Sequence, residues 1–487
     1  MSTDPDTSYL AFTRFGLGSR PGDLKSMGAG DAKAALLAEI ADPTQLFLAD
    51  SSLPSTPDAY TQLRQFQRAR QKAKANPTAA PAADSMMGDM SSGPAAPDES
   101  MLPAAQIDKN GRITVPGVPS PGDMMNMEIA ARLARVLAAP IGFGERLVAF
   151  WTNHFAVQAA ADEGVRSMAG AFEREAIRPN VLGKFGDLLL AATQHPAMLL
   201  SLNNATSIGP DSPEGKRSGK GLNENHAREL MELHTVGVTA GYTQADVTSF
   251  AKVLTGWTFG RGENDPENYG RFVFHKPAHE PGPQTVMGKV YPQQGVDQGL
   301  AVIADLAANP ATATHIATQM ARYFVADEPA QSLIDALVAT FTKTGGDLKA
   351  VTTTLINAAD SWATPQTKLR SPQEFLWASV RALGLDIKPD LVNRTLADLG
   401  EPMWNPPSPQ GFKDDVATWL APDAMSTRVD VAELLASQDK SLGDPNALSS
   451  DLLGGALSSD TQTAISRAES RQQAIALLLM SPEFQRR

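Results

Sequence analysis

Ile129-Ala-Ala-Arg-Leu-Ala-Arg-Val-Leu137 sets its large apolar residues three and four positions apart, the period of a helix with one buried face. The same period returns in Arg146-Leu-Val-Ala-Phe-Trp-Thr-Asn-His154 and Phe185-Gly-Asp-Leu-Leu-Leu-Ala-Ala192, then over residues 301–307, 313–324 and 332–341. It breaks at Ala139-Pro-Ile-Gly142 and at Asn309-Pro310, where proline and glycine interrupt helices. Upstream, Tyr9 to Gly18, the alanine-rich run 31–40 and the polar run 60–74 also read as helices. Strand patterns are confined to Arg271-Phe-Val-Phe274 and Thr285-Val-Met-Gly-Lys-Val290, enough for a small hairpin in a loop region around 258–295. Glu401-Pro-Met-Trp-Asn-Pro-Pro-Ser-Pro-Gln-Gly411 is too dense in proline for a helix. The expected fold is mainly α, a large multi-helical domain with that small β-hairpin region and no internal repeat.

Between about 75 and 123 the composition turns to Ala, Pro, Ser, Gly, Asp and Met. Such a segment buries too little apolar surface to offset its ordering entropy, so a disordered insertion is expected there. It separates N-terminal helices, residues 1–74, from the main helical part, 124–487. Apolar residues make up 42% of the 487, yet no apolar run approaches the roughly 20 residues that cross a bilayer, so membrane insertion is not expected. A net charge of −12 argues against nucleic acid, which is bound chiefly through Lys and Arg on phosphates. The absence of cysteine excludes disulfides, thiolate nucleophiles and Cys-ligated metals. Met1-Ser-Thr-Asp-Pro-Asp-Thr7 is acidic and polar where a secretory signal is basic and then apolar, so the expected location is the cytoplasm.

Residue types that carry chemistry concentrate in Gly221-Leu-Asn-Glu-Asn-His-Ala-Arg-Glu-Leu-Met-Glu-Leu-His-Thr-Val-Gly237. On a helix, Asn225, Arg228, Glu229 and Glu232 share one arc while Leu230 and Leu233 lie opposite. Two roles fit that arc: a solvated face with an Arg–Glu pair, or a polar pocket wall. As a pocket wall, Glu229 and Glu232, at i and i+3, lie on one side of any substrate and cannot flank a bond by themselves. They suit proton sharing, binding of a hard cation or pairing with Arg228. His226 and His234 fall away from the arc, so no metal site is assigned and no cofactor is expected; a divalent cation is the one metal the carboxylates would accept. Thr243-Gln-Ala-Asp246 is a helix capping box. Trp151, Asn153 and His154 end another helix and form either a ligand wall or core. His195-Pro-Ala-Met198 marks a helix boundary, and Pro277 breaks the spacing of His275 and His279, leaving His279 alone as a candidate. Phosphate-loop, dinucleotide, nucleophile-elbow and zincin motifs are all missing.

The run Asn223-Glu-Asn-x-Ala-Arg-Glu-x-x-Glu-Leu-x-Thr-x-Gly237, followed by Gly241-Tyr-Thr-x-x-Asp246 and Leu254-Thr-Gly-Trp257, resembles the signature of the DUF1800 family of bacterial proteins. Ordered matches extend from Arg14-Phe-Gly-Leu-Gly18 to Ser481-Pro-Glu-Phe-Gln-Arg-Arg487, with Trp151-x-Asn-His-Phe155, Ile177-Arg-Pro179 and Pro406-Pro-Ser-Pro409 between. The family carries no assigned activity. The resemblance implies a DUF1501-type partner, sulfatase-like and exported by a twin-arginine signal, and hence a partner-assisted route to the periplasm. It also implies that position 226 takes aromatic or apolar residues in relatives.

The functional expectation is a hydrolase of an envelope or extracellular polymer. Its pocket is formed by Trp151, Asn153, His154, Asn223, Asn225, Arg228, Glu229, Glu232 and His279. Glu229 or Glu232 acts as general acid/base or cation ligand, Arg228 holds an anionic group or tunes the carboxylates, and the asparagines orient substrate hydroxyls. The alternatives are a non-catalytic scaffold for the DUF1501-type protein and a metal-binding protein.

Overall fold

The computed structural model describes residues 7–27, 32–48, 50–75, 105–107, 113–219, 221–262, 264–363, 365–441 and 443–487. Of these residues, 63% are helical, and the strands form only two-stranded antiparallel hairpins. One apolar core runs from Tyr9 to Phe484, drawing on segments before and after the insertion. Most of the insertion lies outside the described residues. Its last part, however, is folded: Gln106–Ile107 pairs with Ile113–Thr114, and Val115 packs on Phe66 and Ala69 of the Thr56–Ala75 helix. Pro121 then opens the Pro121–Ala138 helix, whose Ser120 and Asp123 form a reciprocal cap.

Helices end where the residues require it. Gly142, at φ 91°, starts Phe143–His154, and Asn309 closes Val296–Ala308 while capping Pro310–Phe324 through Ala311 N. His195 likewise accepts from Ala197 N and opens Pro196–Ser201. The strand segments pair differently from the single hairpin expected. Phe272–Phe274 joins Trp257–Phe259, whereas Gln284–Val286 folds directly onto Lys289–Tyr291. Met287 and Gly288, both at positive φ, make the two-residue turn whose twist suits a hairpin.

Three helices pass into wider π turns, at Ala11–Phe15, Glu173–Ile177 and Leu230–His234. A π turn adds a residue to the loop closed by each hydrogen bond, so it rotates everything after it and often marks a functional site. Among the described residues, six arginines are fully buried: Arg14, Arg146, Arg178, Arg381, Arg428 and Arg487. Arg381 donates to the carbonyls of Val136, Ala139 and Pro140, collecting oxygens left unpaired where Pro121–Ala138 ends. Arg178 holds Glu145 and Glu173 together, and Arg487 links Glu374 to Asp414.

Candidate functional site

The Asn225–Glu229 helix continues into the π turn Leu230–His234, and that change of pitch sorts the predicted residues. His226 and His234 are fully buried, and neither ring has a protein hydrogen-bond partner. Glu232 and Leu233 instead come to the wall of an open groove of about 990 Å³. The uniform α geometry expected would have turned Leu233 inward; the wide turn brings it beside Glu232. The groove falls at the upper end of the size range of ligand sites.

Its other walls come from far along the chain: His154 at the end of Phe143–His154, His315 and Gln319 on Pro310–Phe324, and Gln410 to Asp415 in the irregular loop. His154 and His315 cap the π turn, at 3.2 Å from the His234 carbonyl and 2.9 Å from that of Leu233. Burial, followed by the neighbouring His315, lowers His154 to about 3, so its ring is neutral and carries one N–H. Nδ1 of the same ring lies 2.8 Å from the Gln319 side-chain amide, whose other end is 3.1 Å from His315 Nε2. The hydrogen bonds close when both rings carry their proton on Nε2, facing the carbonyls. Gln319 then turns its NH₂ to His154 and its oxygen to His315, whose one Nε2–H is shared between that oxygen and the Leu233 carbonyl.

The irregular loop is held by one side chain. Asn153 donates Nδ2 to Phe412 O at 2.9 Å and accepts Phe412 N at 2.7 Å, mimicking a strand pair. Gly411 sits against it at φ 81°, where an added Cβ would fall 2.5 Å from the Asn153 carbonyl. Gly411→Ala is therefore expected to destabilise the fold by about 1–3 kcal/mol and displace residues 412–415. A wild-type urea midpoint together with an unmoved loop in its crystal structure would contradict this.

Asp414 follows, and its carboxylate meets Lys368 at 3.0 Å and Arg487 at 3.1 Å. Burial raises it to about 6 while those two cations pull the other way, so it is ionised at neutral pH. Asp414, Asn153, Tyr323, Phe412 and Lys413 also line a second, inner cavity of about 60 Å³. The groove and the cavity thus share a wall.

Of the predicted site residues, the fold brings Asn153, His154 and Glu232 to the groove. Glu229 is half-buried and is not part of the groove wall; burial and Glu232 raise its carboxyl, against the pull of Arg228. Arg228 pairs with neither; it is 3.0 Å from Glu224 and from Gln244 at the surface. The Glu224 carboxylate also accepts from Thr248 and Gln244. Asn223 accepts Asn225 N in a local turn, and the Asn225 side chain reaches Leu202 O. Trp151 is a core residue with no exposed surface, edge-on to His154, and not a pocket wall. His279 is buried against Phe274 with Nδ1 on the Thr255 carbonyl, away from the groove. Asp246 caps its helix as expected. His315, Gln319, Lys413 and Asp414 were not predicted; the proline-dense stretch just before Phe412 was the one signal for Lys413 and Asp414, and none pointed to His315 or Gln319. Among the described residues, no three His, Asp or Glu side chains are grouped to hold a metal ion. None of the helices there is long and apolar enough to cross a membrane.

A helical fold with an open groove of mixed polar and apolar lining, walled by helix ends and a pinned irregular loop, defines a helical domain with a surface cleft. The chain belongs to the family described as Protein of unknown function (DUF1800), whose model matches residues 10–486. No curated protein and no solved structure matches it.

Proposed function

We propose that the chain is a hydrolase that takes an extended polar substrate, an envelope or extracellular polymer, in the 990 Å³ groove. The observation supporting this is that Glu232, His154, His315 and Asp414 arrive there from four separate segments. Asp414 is the proton acceptor, ionised above about pH 6. Glu232, with Glu229 beside it, supplies a second carboxylate from another element, as cleavage between two acids requires. Arg228 does not neutralise these glutamates, and Asn153 is committed to Phe412, so Gln410 takes over the orienting of substrate hydroxyls.

Glu232 makes no ion pair among the described residues, so Glu232→Gln tests the reading without unfolding the protein. Incubated with a panel of purified envelope and extracellular polysaccharides, the wild-type chain is expected to release soluble fragments. Glu232→Gln should slow release by about 100-fold or more at an unchanged melting temperature. No release by the wild type, or full release by the variant, overturns the proposal. A scaffold for a DUF1501-type protein is the second reading, favoured by Val238, an apolar side chain 68% exposed at the groove. Val238→Asp would then abolish partner binding, and the wild-type chain would release no polymer fragments by itself.

A further inference from the structure

Six glutamates are buried among the described residues: Glu128, Glu145, Glu173, Glu280, Glu374 and Glu401. Five have a cation within ion-pair distance: Arg174 for Glu128, Arg178 for Glu145 and Glu173, Lys252 for Glu280 and Arg146 for Glu374. Glu401 has none; its Oε2 accepts Gln373 N at 2.8 Å. It lines the inner cavity, whose 60 Å³ is several times the roughly 10–15 Å³ that one water needs. The cavity wall also carries one buried donor without a hydrogen-bond partner among the described residues, Arg132 Nε, whereas Arg146 Nη2 and Glu374 Oε1 meet each other at 2.8 Å. Such a wall calls for water.

We infer that Glu401 is a proton-bearing acid that exchanges its proton with Asp414 through water held in the inner cavity. The proton leaves the Glu401 carboxyl for a cavity water, and that water gives one of its own to the Asp414 carboxylate. Glu401 is then charged and Asp414 neutral, with the water unchanged. The charged groups around this path are Glu374, Arg146, Arg132, Glu145 and Lys413 on the cavity wall. Arg428 lies behind Glu401, and Lys368 and Arg487 hold Asp414. Burial, with Glu374 and Asp414 adding like charge, raises Glu401 to about 7, which supports the assignment. The use of this proton at the groove rests on the hydrolase reading; the exchange itself does not.

Infrared titration of the full chain tests it without substrate. A protonated-carboxyl band is expected to disappear with a midpoint near pH 7, to be absent in Glu401→Gln, and to shift down by about one pH unit in Asp414→Asn. A high-resolution crystal structure should place water between the two carboxyls. A band with a midpoint near pH 7 that survives Glu401→Gln, a midpoint unmoved in Asp414→Asn when that variant keeps its helical circular dichroism, or a dry cavity overturns the inference. Failure of polymer cleavage with these signals intact would overturn only the hydrolase reading.

Discussion

Arg178→Met is expected to lower the unfolding free energy by about 3–5 kcal/mol, because it strands two buried carboxylates. Arg178 grips Glu145 with both terminal nitrogens, at 2.7 and 2.8 Å, and Glu173 at 2.8 and 3.0 Å, while Nη1 also reaches Leu46 O. Methionine fills the volume but supplies no charge. Glu173 keeps Arg132 and the Trp404 indole, whereas Glu145 is left with Arg135 at 3.6 Å. A urea midpoint within experimental error of wild type would contradict the prediction. Adding Glu145→Gln should recover part of the loss, since it removes one stranded charge. Burial alone would raise Glu173, but Arg132 and Arg178 hold it below the usual carboxylate range. The folded-state value is thus the depressed one. Its contribution is complete above about pH 4.5 and is lost as the pH falls through the folded value.

Acidification from pH 6.5 is expected to destabilise the protein steeply, before those carboxylates titrate. Burial lowers His154 and His226 to about 3 and His234 well below its ordinary value, with His315 also below its own. In the unfolded chain each binds a proton below about 6.5, while in the fold it stays neutral. The unfolded state therefore binds more protons, and each such histidine removes up to about 1.4 kcal/mol per pH unit. Together the four give about 4–5 kcal/mol per unit below about pH 5.5. Urea midpoints that stay level from pH 7 to 5 would contradict this. His226→Phe should flatten the limb by one proton. It should also stabilise the protein by about 1–2 kcal/mol at pH 7, because it replaces a buried ring with neither nitrogen bonded to protein.

The helical class was legible because apolar period, capping residues and proline or glycine breaks agree in one segment after another. Ser120-Pro121, Thr243 to Asp246 and Asn309-Pro310 end or open helices where their side chains dictate. The groove was legible only in part. His154 and Glu232 were found because they stand in dense polar stretches, yet Arg228, Asn223 and Asn225 stand in the same stretches and serve local turns and surface pairs. His315 and Gln319 sit singly in an apolar helix, where nothing local separates them from core residues. The π turn at Leu230–His234 was equally hidden, because its residues are ordinary helix formers and the extra residue is set by packing.

The amino-acid sequence by itself determined the helical architecture, the helix ends and the family, since these depend on side chains and backbone a few residues apart. Only the tertiary structure decided which polar residues meet. His154 caps a carbonyl 80 residues away, and Asn153 pins a loop 259 residues away. Arg487 reaches Glu374 and Asp414 over 113 and 73 residues. Partners at such separations leave no periodic trace along the chain, and burial, which sets the charge states of Glu401 and the histidines, is a property of the packed whole.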